Sequence, residues 1–159
     1  MGKEKREKVL LIISTTRKSP RSIERAIEYA RKKNAELVCL YVLDLELPKS
    51  IVKQMTEEGW LGGKPSEDFY LALLKEYERW GKEKIEEIKK EAEKHQIPFR
   101  AEIRRGDFLN QALDFINQEQ VNYILVTRRR RSNLSRFLFG SAVAELKNQV
   151  SVPVKIVDE

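Results

Sequence analysis

Cysteine and histidine are nearly absent from this sequence of 159 residues, which contains one of each. A single cysteine excludes an internal disulfide, and Cys39 lies in the apolar run ELVCLYVL, where a small buried side chain is expected. His95 lies in a polar setting at the end of a long helical pattern, where a C-terminal cap is its expected role, and a Ser-His-Asp triad would need a better placed histidine. The sequence has no P-loop, no GxGxxG after its first strand and no Cys/His metal cluster. We therefore expect a protein that acts by binding rather than catalysis, with no metal and no required cofactor.

Long hydrophobic runs are also missing. No apolar stretch approaches the roughly 20 residues that span a bilayer, and the N-terminal MGKEKREKVLLII lacks the layout of a signal peptide. We expect a soluble, cytoplasmic protein with no membrane role. With 41% hydrophobic residues, the chain can bury a core, and we expect residues 1–159 to form a single domain.

Charge is abundant, at 35% of residues with a formal net charge of +6. The many Lys and Glu residues would suit a protein from a hot environment, although one long solvated helix could account for much of this composition. Residues 1–33 hold 11 basic and 4 acidic side chains, and residues 97–136 hold 8 and 4. The basic excess is therefore +7 and +4 in two separate segments, and its meaning depends on whether folding brings them together.

Short apolar runs alternate with helical patterns along the chain. They predict strands at 8–14, 36–43, 98–106, 123–127 and 152–157, and helices at 20–33, 67–95, 107–120 and 134–149. Residues 44–66, between the second strand and the second helix, are predicted to form a long connecting segment, here named the excursion, with one helical turn near 50–55. This alternation is typical of a doubly wound α/β fold, with a parallel sheet and helices on both faces. Such sheets bind ligands at the carboxyl ends of their strands, where the strand order reverses.

Basic residues lie at the ends of three predicted strands. Arg17 and Lys18 follow the first strand, Arg104 and Arg105 close the third, and the run Arg128 to Arg131 follows the fourth. All three groups are expected at the same edge of the sheet, as one basic rim. The run could bind a ligand, contact nucleic acid, or lie solvated and paired with acidic side chains. We rank the nucleic-acid contact last, because no recognised nucleic-acid motif accompanies the charge.

The segments KVLLIISTTRKSPRSIERAIEYA, IRRGDFLNQALDFI and SNLSRFLFGSAVAELKNQVSVPVKIV resemble the universal stress protein family over nearly the whole chain. The resemblance implies a single Rossmann-like domain of the adenine nucleotide alpha hydrolase-like type. It also implies five parallel strands in the order 3-2-1-4-5. Members of this family commonly form homodimers through the last strand, here Val152 to Val157, and we expect a homodimer.

Many members of the family carry the motif G-x2-G-x9-G-[ST], in which glycines let backbone amides approach the phosphates of ATP. Gly140 and Ser141 match its final pair. Thr127 and Arg130 stand where the first two glycines are expected, and Ser14 stands where an aspartate ends the first strand. These departures argue against conventional ATP binding. Arginine side chains can nevertheless bind phosphate, or their bulk can fill the cleft.

The resemblance therefore implies a regulatory or protective stress protein that acts through binding, with ATP or another phosphate-bearing ligand as a possible occupant. One alternative is a dimeric scaffold whose vestigial cleft is filled by its own arginines. Another is an anion- or nucleic-acid-binding module that uses the basic rim. By position in the resemblance, the candidate ligand-binding residues are Ser14, Thr15, Val42, Gly106, Thr127, Arg128, Arg130, Gly140 and Ser141.

Overall fold

The structure, a computed structural model, describes residues 6–14, 20–45, 53, 57, 67–128 and 141–158 of the chain. The strands are β1 Lys8–Ser14, β2 Glu36–Asp44, β3 Phe99–Gly106, β4 Tyr123–Arg128 and β5 Val154–Asp158. The helices are α1 Pro20–Lys33, α2 Glu67–Lys94, α3 Phe108–Glu119 and α4 Ser141–Gln149.

These strands form one parallel sheet in the order β3-β2-β1-β4-β5, which confirms the predicted α/β class and strand order. From β1 the chain continues to β2 on one side, whereas β4 leads to β5 on the other side. The order therefore reverses between β1 and β4. A sheet of this kind opens a crevice at the carboxyl ends of those two strands.

The sheet separates two apolar layers. Alternate residues of β1 enter opposite layers, because side chains along a strand alternate between its two faces. Leu11 and Ile13 pack in the layer of α1 and α2, whereas Leu10 and Ile12 pack in the layer of α3 and α4. Cys39 is fully buried in the first layer, as predicted, and this burial raises the pKa of its thiol to about 12. Burial on both faces explains why the central strands are continuous apolar runs.

The helix ends follow their local sequence signals. Helix α1 begins at Pro20, as predicted, and proline is favoured at a first helical position. The Asp107 carboxylate accepts a hydrogen bond from the Asn110 backbone N–H at 3.0 Å and caps α3. At the other end, Gln120 takes a left-handed conformation with φ 53° and stops the helix.

Helix α2 passes very close to β2 at Gly81. A Cβ atom at this position would lie 2.6 Å from Cε1 of Tyr41, a fully buried ring. The Tyr41 hydroxyl donates a hydrogen bond to the Tyr77 carbonyl oxygen at 3.0 Å, which fixes the ring under the helix. Glycine lowers helix propensity, but here it allows the helix backbone to contact the aromatic ring.

An ion-pair network links the elements that meet at the amino edge of the sheet. Arg100 on β3 donates to Glu36 at the start of β2 (Nε to Oε1, 2.7 Å) and to Glu119 at the end of α3 (Nη2 to Oε2, 2.5 Å). The Lys8 ammonium lies 3.6 Å from the same Glu119 carboxylate. The network joins β1, β2, β3 and α3 through exposed or half-buried side chains.

A few element boundaries differ from those that the sequence predicts. Strand β2 ends at Asp44 and β4 at Arg128, one residue beyond each predicted end, and β5 begins at Val154 rather than at residue 152. The start of the helix predicted at 134–149 lies outside the described residues, and its described part is Ser141–Gln149. In the excursion, Lys53 and Glu57 have helical backbone. Among the described residues, no helix is both long enough and apolar enough to span a membrane.

Candidate functional site

Four serine, threonine and aspartate side chains are buried in the described part of the chain, and all four lie at the carboxyl edge of the sheet. They are Ser14, Ser22, Asp44 and Thr127, with exposed fractions of 6%, 0%, 6% and 7%. Ser14 ends β1, Asp44 ends β2, and Thr127 is the residue before the end of β4. Ser22 lies in the first turn of α1, which starts at the same edge. Buried polar groups are costly in a core, so their grouping at the carboxyl edge marks the candidate site.

Ser14 and Val42 are direct neighbours in the register of β1 and β2. The Val42 side chain is fully buried and packs in the layer of α3 and α4. A ligand at this edge would therefore meet the backbone of Val42 rather than its side chain. The β1–β4 ladder ends at Ile12 and Val126, two residues before Ser14 and Arg128, which is where a crevice can open.

Thr127 is held by helix α1. Its hydroxyl donates a hydrogen bond to the Ser22 hydroxyl oxygen at 2.7 Å, and both groups are buried. Thr127 stands where the family motif has its first glycine, so a side chain occupies this position and is tied to the α1 side of the sheet. This contact stabilises the start of α1 against the end of β4.

Gly106 ends β3 in a conformation that favours glycine. Its φ is +143°, and an added Cβ would lie 2.9 Å from Nε2 of Gln111. In the register of β2 and β3, Gly106 pairs with Asp44. The residue therefore lets the chain turn closely from β3 into α3, at the same edge as Ser14 but two strands away from it.

Arg128 and Ser141 are placed by their backbones. Arg128 ends β4, where it pairs in register with Asp158, and Ser141 is the first residue of α4. Thr15, Arg130 and Gly140 lie outside the described residues, as do Arg17 and Lys18. Of the nine candidates, the structure thus places Ser14, Val42, Gly106, Thr127, Arg128 and Ser141 at the carboxyl edge.

The side chains of the basic rim that the structure describes, those of Arg104 and Arg105, lie on β3, apart from the end of β4. Strands β2 and β1 separate β3 from β4, so Arg104 and Arg105 lie about 14 Å from the end of β4 along the sheet. Arg104 contacts Glu102 and Asp114, and its guanidinium also lies 5.0 Å from the ring centre of Phe115. Arg105 pairs with Glu78 at 3.2 Å. These two arginines are therefore already neutralised by carboxylates of this chain.

Sequence reasoning missed two of the four buried polar residues. Asp44 was placed in the excursion because the apolar run before it ends at Leu43. Ser22 follows Pro20 and Arg21 in a helix start, where a serine is unremarkable. Ser22 is identified as part of the site only by its hydrogen bond with Thr127, which is 105 residues away in the chain. Within the described residues, no group of His, Cys, Asp and Glu side chains could hold a metal ion.

Comparisons with known proteins agree with this architecture. The sequence profile of the Universal stress protein family matches residues 5–158. Comparison with curated protein sequences finds no match. Universal stress protein UspA from Lactobacillus plantarum shares the fold with a TM-score of 0.69 at 16% identity, over 98% of this chain and 99% of that one.

Two further solved structures are universal stress proteins with a nucleotide. One, in complex with cAMP, has a TM-score of 0.60 at 14% identity and covers 98% of each chain. Another, from Archaeoglobus fulgidus in complex with dAMP, has a TM-score of 0.58 at 15% identity, over 94% of this chain and 96% of that one. The family match over almost the entire sequence, together with the fold, shows that the chain belongs to the universal stress protein family.

Proposed function

We propose that this protein is a stress-response or regulatory protein of the cytoplasm that binds an adenine nucleotide at the carboxyl edge of its sheet. It acts through binding, without catalysis, as a homodimer of one-domain chains. The nucleotide is held in a modified version of the family site. Arginine side chains there replace some of the backbone amides that the motif's glycines would expose to the phosphates.

The observation that carries this proposal is the set of buried polar residues at the carboxyl edge. Ser14 and Asp44 end β1 and β2, and Thr127 is the residue before the end of β4. These strands lie on either side of the point where strand order reverses, which is the usual ligand position in such sheets. Nucleotides in two universal stress protein structures of the same fold support adenine as the base. Hydroxyl and carboxylate groups at strand ends suit the ribose and base of such a ligand.

The phosphates require a different arrangement from that of the family motif. Thr127 carries a side chain where a glycine would expose backbone amides, and its hydroxyl already bonds to Ser22. Arg130 replaces the second glycine. Arginine forks bind phosphate through paired hydrogen bonds, and the start of α4 at Ser141 adds a helix N-terminus, which favours anions. We therefore assign the phosphates to Arg128, Arg130 and the Gly140–Ser141 step.

Calorimetric titration of the purified protein with ATP and AMP tests this assignment. We expect both nucleotides to bind, and Arg130→Gln to weaken ATP binding about tenfold, because one charged phosphate contact is lost. AMP, with fewer phosphates, should be affected less. The matched control is Arg31→Gln, which removes the same charge from the exposed last turn of α1, at the opposite edge of the sheet.

Two results would contradict the proposal. Absence of nucleotide binding by the unmodified protein would favour the scaffold alternative, in which the cleft has lost its ligand. Tighter ATP binding by Arg130→Gln would show that the arginine fills the cleft instead of holding phosphate. Nucleic-acid binding is not favoured by the rim, because Arg104 and Arg105 already pair with carboxylates.

A further inference from the structure

A second concave surface lies between helix α1 and the edge strand β5, here named the α1–β5 cleft. Its volume is about 230 Å³. Its floor is Leu125, which is 2% exposed and pairs in register with Lys155. The complete lining is Arg25, Glu28, Tyr29, Lys32, Tyr123, Leu125 and Lys155. The cleft thus combines an apolar floor, two aromatic rings and three cations.

The charge of the cleft is unbalanced. Arg25, Lys32 and Lys155 face one carboxylate, Glu28, so the lining has a formal charge of +3 − 1 = +2. Within the part of the chain that the structure describes, none of these three cations forms an ion pair with a carboxylate.

Several other basic side chains among the described residues are neutralised by carboxylates. Arg79, Arg100 and Arg104 each contact two carboxylates. Lys32 alone would be explained by the negative end of α1, and Lys155 alone by protection of an edge strand. Neither explanation covers Arg25, nor the convergence of all three on one concavity.

The two tyrosines give the cleft a fixed wall. Tyr29 of α1 stacks on Tyr123 of β4, with ring centres 4.0 Å apart and an interplanar angle of 14°. Burial is the main cause that raises the pKa of Tyr123 above its ordinary value, and the nearby Tyr29 adds to it while Arg25 opposes it. The phenol therefore stays protonated at neutral pH and can donate a hydrogen bond to an anion.

We propose that the α1–β5 cleft binds a small phosphate-bearing anion, separately from the nucleotide site. A phosphate monoester carries a charge of about −1.5 to −2 at pH 7, which matches the +2 of the lining. The Arg25 guanidinium can donate hydrogen bonds to two phosphate oxygens, and the ammonium groups of the two lysines supply further positive charge. Because Tyr123 starts β4 and α1 ends nearby at Lys33, the cleft lies toward the amino edge of the sheet, opposite the nucleotide site.

Calorimetry with pyrophosphate at low ionic strength, on the order of 20 mM salt, tests the cleft. We expect the unmodified protein to bind pyrophosphate, and Lys155→Gln to weaken binding at least about fivefold, the effect of losing one exposed charged contact. Tyr123→Phe keeps the ring stack but removes a donor, and should weaken binding as well. The matched control is Lys89→Gln, which removes an equal charge from an exposed position on α2.

The variants also separate this site from the carboxyl edge. Arg130→Gln should leave pyrophosphate binding at the cleft unchanged. The proposal is overturned if the unmodified protein binds no pyrophosphate, or if Lys155→Gln behaves like Lys89→Gln. It is also overturned if a single-stranded oligonucleotide binds more tightly than pyrophosphate and loses affinity in Lys155→Gln, because the cations would then serve a nucleic acid.

Discussion

At residue 81, the backbone of α2 rests directly on the buried ring of Tyr41. Replacing Gly81 by alanine places a methyl group within 2.6 Å of that ring, which cannot move freely because its hydroxyl is bonded to Tyr77. Alanine improves helix propensity by about 1 kcal/mol, but overpacking costs about 1–3 kcal/mol. We expect Gly81→Ala to lower the free energy of unfolding by about 1 kcal/mol, measured by urea denaturation.

A double-mutant cycle identifies the cause. Tyr41→Leu removes the ring, so Gly81→Ala should cost less in the Tyr41→Leu background than in the unmodified protein. An increase in stability on Gly81→Ala alone would mean that helix propensity dominates and that the contact is not tight. Sequence alone can identify Gly81 as a poor helix residue, but the ring beneath it belongs to a strand 40 positions earlier in the chain.

The site residues show the same limit of sequence reasoning. Ser14, Val42, Gly106 and Thr127 could be located from the resemblance, because each lies at or near the end of a recognisable strand. The hydrogen bond between Thr127 and Ser22 depends on α1 crossing the end of β4, which no local pattern predicts. The ligand roles of all these residues stay predictions.

At the scale of the elements, Arg100 links the end of α3 to β2 and β3. The Glu119 carboxylate ends α3, where the helix dipole disfavours negative charge, and Arg100 offsets this. The hydrogen bond from Arg100 is the main cause that lowers the pKa of Glu119 below its ordinary value of 4.5. A lowered pKa in the folded state means that the contribution to stability is present above pH 4.5 and is lost as the pH falls through the lower, folded value.

We therefore expect Arg100→Gln to destabilise the protein at pH 7 by at most about 1 kcal/mol, because the side chains are partly exposed to solvent. The loss should shrink as the pH falls below 4.5, since protonated Glu119 no longer needs the arginine. Thermal unfolding of both proteins between pH 7 and 3 measures this, with Arg31→Gln as control. A difference that does not change with pH would indicate lost packing of the arginine stem rather than lost charge.

Most elements could be predicted because their signals are local. The strands β1 and β2 are continuous apolar runs, α1 begins with a proline, and α3 has capping residues. Both helices have an apolar face of helical spacing. Asp44 extends β2 by one residue because its ladder with β3 continues to Gly106, and pairing of that kind is not visible in one strand. A charged residue after an apolar run looks like the start of a loop.

At the scale of the whole molecule, the strand order came from the family resemblance, because alternating strands and helices are compatible with several parallel orders. That order makes β5 an edge strand of the sheet. The Ile124 N–H donates to the Pro153 carbonyl oxygen at 3.0 Å. In a regular parallel ladder, the odd-numbered residues of β5 then face β4, while the amides of Val154 and Ile156 face the outer edge. An edge with such amides can pair with a second copy of itself.

We expect sedimentation at tens of micromolar to show a homodimer formed through Val152 to Val157. Ile156→Pro removes the outward N–H and should shift the protein to monomer, whereas Ile156→Ala removes a similar part of the side chain, keeps the N–H and should stay dimeric. Circular dichroism checks that both variants fold. If the unmodified protein is monomeric, or if both variants dimerise equally well, then β5 is not the interface. Because the Lys155 side chain lines the α1–β5 cleft, pairing through β5 would also bring the two clefts of a dimer next to each other.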